Sequence, residues 1–238
     1  MRNIYVNGCS FSEGHKELRD RDGKPWPAYF HEDNVINESL NGGSSFRSLR
    51  MCMQRIFEDM PIDIMICQLS SLDRGEVFLN NDEFVRWHEP MYIAYMPTRF
   101  IHRDHQLEVL KREGFRKRGE DYRYFNEKGE SIEDKYYHKL KLFNDTMLTN
   151  TKDRELHIIG LCNNLKLLCE TKGIKLLFTA MSEKCIPNVE HITPYFTKPM
   201  SHIVGKKGPL VESETDFHPN EAGHEKIYRY IISELEKL

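Results

Sequence analysis

The sequence predicts a three-layer α/β fold built on a parallel sheet, and three observations carry that expectation. Short β-rich runs alternate with stretches of helical apolar spacing along most of the chain. The third run, Ile62-Asp-Ile-Met-Ile-Cys67, is apolar at nearly every position, as a central parallel strand covered on both faces must be. The 238 residues, 39% of them hydrophobic, suit one such domain or at most two small ones.

Asn3-Ile-Tyr-Val-Asn7 is β-rich and stops abruptly at Gly8, so it reads as a buried strand that delivers the chain into a tight turn. Asn34-Val-Ile-Asn37 is the second strand. A turn cluster at Asn41-Gly-Gly-Ser-Ser45 follows it, and Phe46, Leu49, Met53, Ile56 and Phe57 then fall at helical spacing up to Pro61. Thr151 opens a long helix to about Thr171, with Leu156, Ile159, Cys162, Leu165 and Cys169 on one face and Gly173 as its stop. Ile174-Lys-Leu-Leu-Phe-Thr179 is the fourth strand. Pro219 to Leu238, with Ile227, Tyr230, Ile231 and Leu235 apolar, closes the chain as a helix. Residues 75–145 interrupt this alternation and hold 13 of the 26 Phe, Tyr and Trp residues, which predicts an insertion serving as a lid or an oligomer surface.

Composition narrows the functional classes. There are 34 Lys and Arg against 37 Asp and Glu, a formal net charge of −3, so no global field favours nucleic acid or an acidic membrane surface. The apolar runs fall far short of the roughly 20 residues that cross a bilayer. The N-terminal residues carry no apolar signal segment, and the six cysteines form neither a disulfide framework nor a metal-binding spacing. Reduced thiols in a cytoplasmic protein are the expectation.

In a parallel α/β sheet the chemistry sits at the carboxyl ends of the strands. Gly8-Cys-Ser-Phe-Ser-Glu-Gly14 follows the first strand directly, and a strand-to-helix turn there exposes one hydroxyl, Ser10, beside backbone N–H groups that can meet an anion. Near the other end, Asp216-Phe-His-Pro219 places a histidine just before the last helix with a carboxylate two residues upstream, the parts of a general base and its orienting acid. Cys9 is intrinsically the better nucleophile, but consecutive side chains diverge in such a turn and Cys9 is expected behind Ser10. His15, His218 and His224 lack the carboxylate or cysteine spacing of a metal site, and His224 is expected to pack.

These residues resemble the SGNH hydrolases, the GDSL-like lipase and esterase superfamily. The first family block, Gly-Asp-Ser-x-x-x-Gly, is matched by Gly8, Ser10 and Gly14 with Cys9 in place of Asp; the second by Asn37 and Gly42; the last, Asp-x-x-His-Pro, by His218 and Pro219, with Asp216 one position closer to the histidine and Thr215 at the family's spacing. The third block, Gly-x-Asn-Asp, is replaced by Gln68-Leu-Ser-Ser71, which puts Ser70 where the family has its oxyanion-binding Asn. The blocks occur in family order, and the insertion lies outside them.

The resemblance implies a flavodoxin-like sheet of about five parallel strands and acyl-ester chemistry without metal or cofactor. Ser10 would be the nucleophile, His218 the base and Asp216 its orienting acid. The oxyanion donors would be the backbone N–H groups of Ser10 and Gly42 with the side chain of Ser70. From their places at and just past the third strand, Gln68 is expected to contribute a donor toward the substrate and Arg74 to bind an anionic or sugar group. The expected substrate is a small or glycan-borne ester, such as an O-acetyl group on a carbohydrate, with no nucleic-acid or membrane partner and a homo-oligomer possible through residues 75–145. An O-acyltransferase using the same triad, or a catalytically silent binding protein of the same fold, are the alternatives.

Overall fold

The computed structural model describes residues 1–41, 43–71, 75–79, 91–96, 99–101, 116–117, 124–125, 151–187, 192–213 and 216–238. In chain order, β1 (Asn3–Asn7) leads into two short helices, α1 (Ser10–Glu13) and α2 (Lys16–Asp20). A 3-10 turn at Trp26–Tyr29 precedes β2 (Asn34–Asn37), α3 (Ser45–Phe57) and β3 (Ile64–Leu69). Then come β4 (Gly75–Leu79), β5 (Met91–Met96), β6 (Arg99–Ile101), β7 (Arg116–Lys117) and β8 (Tyr124–Phe125). The chain continues with α4 (Thr151–Lys172), β9 (Lys175–Ala180), α5 (Met200–Val204) and α6 (Glu221–Leu235).

The fold is mixed α/β. Its main sheet is parallel with strand order β2-β1-β3-β9, and the register sets Tyr5 beside Ile36 on one side and Met65 on the other. Every residue of β3 is buried, the apolar Ile64–Cys67 and Leu69 and with them the polar Gln68. Four strands are present among the described residues where about five were expected; the fifth place is marked by a single parallel bridge from Phe178 to Phe196. The chain leaves β1 for β2 on one side and returns to β3 on the other, so the carboxyl ends of β1 and β3 form the switch point at which such sheets bind ligands.

Helix positions follow from their apolar stripes. Ser44 caps α3, its hydroxyl accepting from the Arg47 N–H at 3.1 Å. Leu49, Cys52 and Ile56 of α3, Ile158, Cys162, Leu165 and Cys169 of α4, and Ile227, Ile231 and Leu235 of α6 join the sheet in one hydrophobic core. Gly173, at φ 69°, ends α4 in the left-handed conformation that glycine tolerates best. All six cysteines are buried and free, Cys9 among them.

Two expected core positions are corrected. Leu156 is 56% exposed and Phe57 70% exposed. The buried stripe of α4 runs through Ile158, and Leu156, two residues earlier, faces about 200° away from it. In α3 Ile56 occupies the inward position at the last turn, which leaves Phe57 outside.

The chain divides into two compact units, Met1–Arg74 with Glu155–Leu238, and Gly75–Arg154. The second starts where the insertion was expected. Within it β4, β5 and β6 form an antiparallel sheet in that order, and β7 and β8 a separate antiparallel pair. The lid or oligomer role expected of residues 75–145 falls largely on residues outside those described.

Because Leu165 is fully buried and Leu156 is not, Leu165→Ala should lower the unfolding free energy by about 2–5 kcal/mol. Leu156→Ala should stay within about 0.5 kcal/mol. Urea titration of both variants checks the assignment of the helix face.

Candidate active site

Gly8 carries the chain off β1 into a turn packed tightly on β3. A Cβ there would lie 2.4 Å from Gln68 Oε1, so no larger residue fits without moving that side chain. Cys9, in extended conformation, precedes the first turn of α1, and its carbonyl accepts from the N–H groups of Ser12 at 2.9 Å and Glu13 at 3.0 Å. Gln68, fully buried at the end of β3, reaches across to this turn. Its Oε1 accepts from the Cys9 N–H at 3.2 Å and the Ser12 hydroxyl at 2.6 Å, and its Nε2 donates to Cys9 Sγ at 3.1 Å. Trp26 Nε1 donates to Ser12 Oγ at 3.2 Å, and Asn37 Nδ2 to the Ser12 carbonyl at 2.9 Å. The turn is held from three sides, and Ser10, the first residue of the helix that leaves it, is 1% exposed and so buried where an exposed hydroxyl was expected.

The histidine arrives from the loop before α6. Asn220 caps that helix through the Gly223 N–H at 3.0 Å, while its Nδ2 donates to the carbonyls of Pro209 at 2.8 Å and Val211 at 3.2 Å. Gly223 is needed because a Cβ there would meet the Leu210 carbonyl at 2.2 Å. Anchored in this way, His218 Nε2 lies 2.8 Å from Ser10 Oγ and Nδ1 lies 2.5 Å from Asp216 Oδ1.

The same Asp216 oxygen accepts the backbone N–H of His218 at 3.0 Å. A carboxylate two residues before the histidine thus reaches the ring because one oxygen serves backbone and imidazole together. A carboxylate can only accept, so the proton belongs on Nδ1, and the lone pair of Nε2 faces the Ser10 hydroxyl. Partial burial pushes the Asp216 carboxyl up, but the His218 N–H, its ring hydrogen bond and the positive charge available at His218 and His15 outweigh this and hold it below its ordinary value.

Aromatic neighbours surround the imidazole. The rings of Phe217 (5.8 Å, 9°) and His15 (5.2 Å, 19°) lie nearly parallel to it, and that of Phe11 is tilted (5.3 Å, 43°). His224 is fully buried on α6 with its Nδ1 accepting from the Trp26 N–H at 3.3 Å. Burial, aided by the charges of His15 and His218, pushes it down to about 3.

The remaining expected residues fall differently. Ser70 is fully buried, and its hydroxyl donates to the Gly43 carbonyl at 2.8 Å while its N–H donates to Ser45 Oγ at 2.9 Å. Its single hydroxyl proton is therefore directed to the loop after β2 and not toward Ser10. Gln68, expected near the substrate, is instead enclosed with its amide bonded to the turn, because a polar side chain at a fully covered strand end must find partners inside. The Leu40 N–H donates to the Gly8 carbonyl at 3.0 Å, which brings that loop against the Ser10 turn. Gly42, Arg74 and Thr215 lie outside the described residues. The roles of His15, Glu212 and Asn220 escaped the sequence reading; only Asn220 carried a signal, as a capping residue directly before a helical apolar pattern.

No protein-family model matches the chain, and no curated protein does. Among solved structures it is similar to TesA, with 11% identity over 99% of both chains and a TM-score of 0.45. It is similar too to the psychrotrophic esterase EstA from Pseudoalteromonas sp., with 11% identity over 99% of this chain and 100% of that one and a TM-score of 0.45. For an acetylxylan esterase from Geobacillus stearothermophilus the values are 13% identity, 98% and 94% coverage, and a TM-score of 0.32. Likenesses of this size assign no activity, and the functional reading rests on the geometry. Among the described residues no helix is long and apolar enough to cross a membrane.

His224 is neutral in the folded chain down to about pH 3, whereas an unfolded histidine protonates near pH 6.5. Acidification between these values favours the unfolded state, which binds the extra proton. From pH 7 to pH 5 this one group should remove about 2 kcal/mol of stability. His224→Gln, which keeps an acceptor for Trp26, should show a correspondingly smaller loss, measured by urea unfolding at the two pH values.

Proposed function

We propose that this chain is a serine hydrolase of the carboxylic-ester type with the SGNH arrangement, acting on a small acyl ester. The observation that supports it most is the unbroken chain of contacts from Ser10 Oγ to His218 Nε2 at 2.8 Å and from His218 Nδ1 to Asp216 at 2.5 Å, at the switch point of a parallel sheet. In this reading Ser10 attacks the ester carbonyl as His218 takes its proton. The Ser10 N–H and the N–H of Gly42 stabilise the oxyanion. His218 then protonates the departing alcohol, and water activated by the same base releases the acyl group from Ser10. Asp216 holds the ring tautomer and balances the imidazolium. Ser70 acts through the Gly43 carbonyl to fix the donor loop, and Gln68 fixes the nucleophile turn.

Phe217, 42% exposed beside the base and against Phe11, supplies an apolar wall for a short acyl group. A carbohydrate as the alcohol half of the ester is the substrate this reading favours, from the 13 aromatic residues of 75–145. Aromatic faces stack on sugar rings, and the nearly balanced charge of the chain suits an uncharged ester.

With p-nitrophenyl acetate as substrate, Ser10→Ala should abolish turnover and labelling by a fluorophosphonate. Asp216→Asn should lower kcat by about 10³–10⁴ through the wrong ring tautomer. Turnover that survives Ser10→Ala would overturn the assignment, and a wild-type chain that neither turns over nor labels would favour a silent binding protein. Acyl transfer to an added alcohol in preference to water would identify a transferase.

A further inference from the structure

Ser10 and Asp216 grip the His218 ring only through its two nitrogens. Contacts of that kind leave the ring free to tilt about the line joining the nitrogens, and a flat partner on its face removes that freedom. His15 lies in the turn between α1 and α2, and its ring stacks on that of His218 at 5.2 Å with 19° between the planes. Phe217 is also nearly parallel, but it is the neighbour of His218 in the chain and is half-exposed, so it moves with the loop it would have to steady.

His15 belongs to another element and is only 3% exposed. Its Nε2 is 3.1 Å from Glu212 Oε1. Glu212 is itself fixed: both its oxygens receive Arg21 Nη2 at 2.7 Å, and its N–H donates to the His218 carbonyl at 3.0 Å. A second histidine–carboxylate pair thus stands against the first, joined to it by ring and by backbone.

We propose that His15, tethered by Glu212, is a positioning residue for His218: it is the platform on which the ring of the base lies, and as an imidazolium it opposes protonation of that base. The proposal rests on the esterase reading for its consequence, since a base that must accept the serine proton has to be neutral. The groups facing His218 are Ser10 and Phe11 from α1, His15 from the following turn, Glu212, Asp216 and Phe217 from the loop before α6, and His224 from α6. Arg21 at the end of α2 joins them through Glu212. Asp216 favours the charged ring, and His224 is neutral. Nearby like charge disfavours ionisation, so a proton held on His15 beside Glu212 would act against the pull of Asp216 on the His218 ring.

The test uses the full chain with His15→Phe, which keeps a flat ring without charge, His15→Ala, which keeps neither, and Glu212→Gln, which removes the tether's charge. Steady-state rates with p-nitrophenyl acetate from pH 5 to 9 are read together with an NMR titration of the histidine rings. His15→Ala should lose about tenfold or more in kcat at pH 8 with KM within about twofold, and His15→Phe should recover most of it. In His15→Phe the acid limb of kcat/KM and the midpoint of His218 should both move up by about half a unit to one unit. In Glu212→Gln the midpoint of His15 should fall.

An acid limb and a His218 midpoint that are unmoved in His15→Phe overturn the proposal, as does undiminished kcat in His15→Ala. Should His15→Ala fail to fold, judged by near-UV circular dichroism, His15→Phe carries the test. If the wild-type chain shows no Ser10-dependent turnover the esterase reading fails, yet the titration still decides whether the two imidazoles are coupled.

Discussion

A single buried amide, that of Gln68, ties the two central strands together at the end of the sheet where the candidate site lies. Its oxygen and nitrogen engage the Cys9 N–H, the Ser12 hydroxyl and Cys9 Sγ across the β1–β3 boundary. Left unbonded in this fully covered position, the amide would carry a desolvation cost of about 1–3 kcal/mol. The turn is therefore bound to one conformation by the same bonds that make a polar residue tolerable in the core. Gly8 follows from this, since only a residue without a side chain lets the turn approach Gln68 so closely. Ser10 inherits its position from both.

Much of this arrangement was legible in the sequence. The strands at Asn3–Asn7 and Asn34–Asn37 have the boundaries their composition indicates, because Gly8 and the polar ends of β2 punctuate them locally. The end of α4 follows from Gly173 for the same reason, whereas the capping role of Ser44 was hidden within the turn cluster 41–45. Leu156 and Phe57 could not be placed so well: each sits at the margin of an apolar stripe, and which neighbour turns inward is decided by the sheet it meets. The pairing of Asp216 with His218 was readable as proximity, but not the sharing of one oxygen between backbone and ring that makes the short spacing workable.

The polar residues in the place of the third family block are the least legible part. At the end of β3 a Gln and a Ser can face outward to a ligand or inward to the chain, and sequence alone does not distinguish the two. The structure directs both inward, Gln68 to the turn after β1 and Ser70 to the Gly43 carbonyl. Both side chains thereby support the backbone of two loops. The pairing of His15 with Glu212 was unreadable for a different reason. They are nearly 200 residues apart, and only closure of the sheet brings them face to face.

The contact between Ser10 and His218 spans 208 positions of the chain. Long-range contacts of this kind form only against the entropic cost of closing the chain between them. A partly folded chain would hold the serine without its base, and an unassisted serine hydroxyl is a poor nucleophile. On the proposed esterase reading, reactivity at Ser10 would be a chemical report that the whole sheet has closed, since a chain in which Ser10 and His218 have not met would be inert.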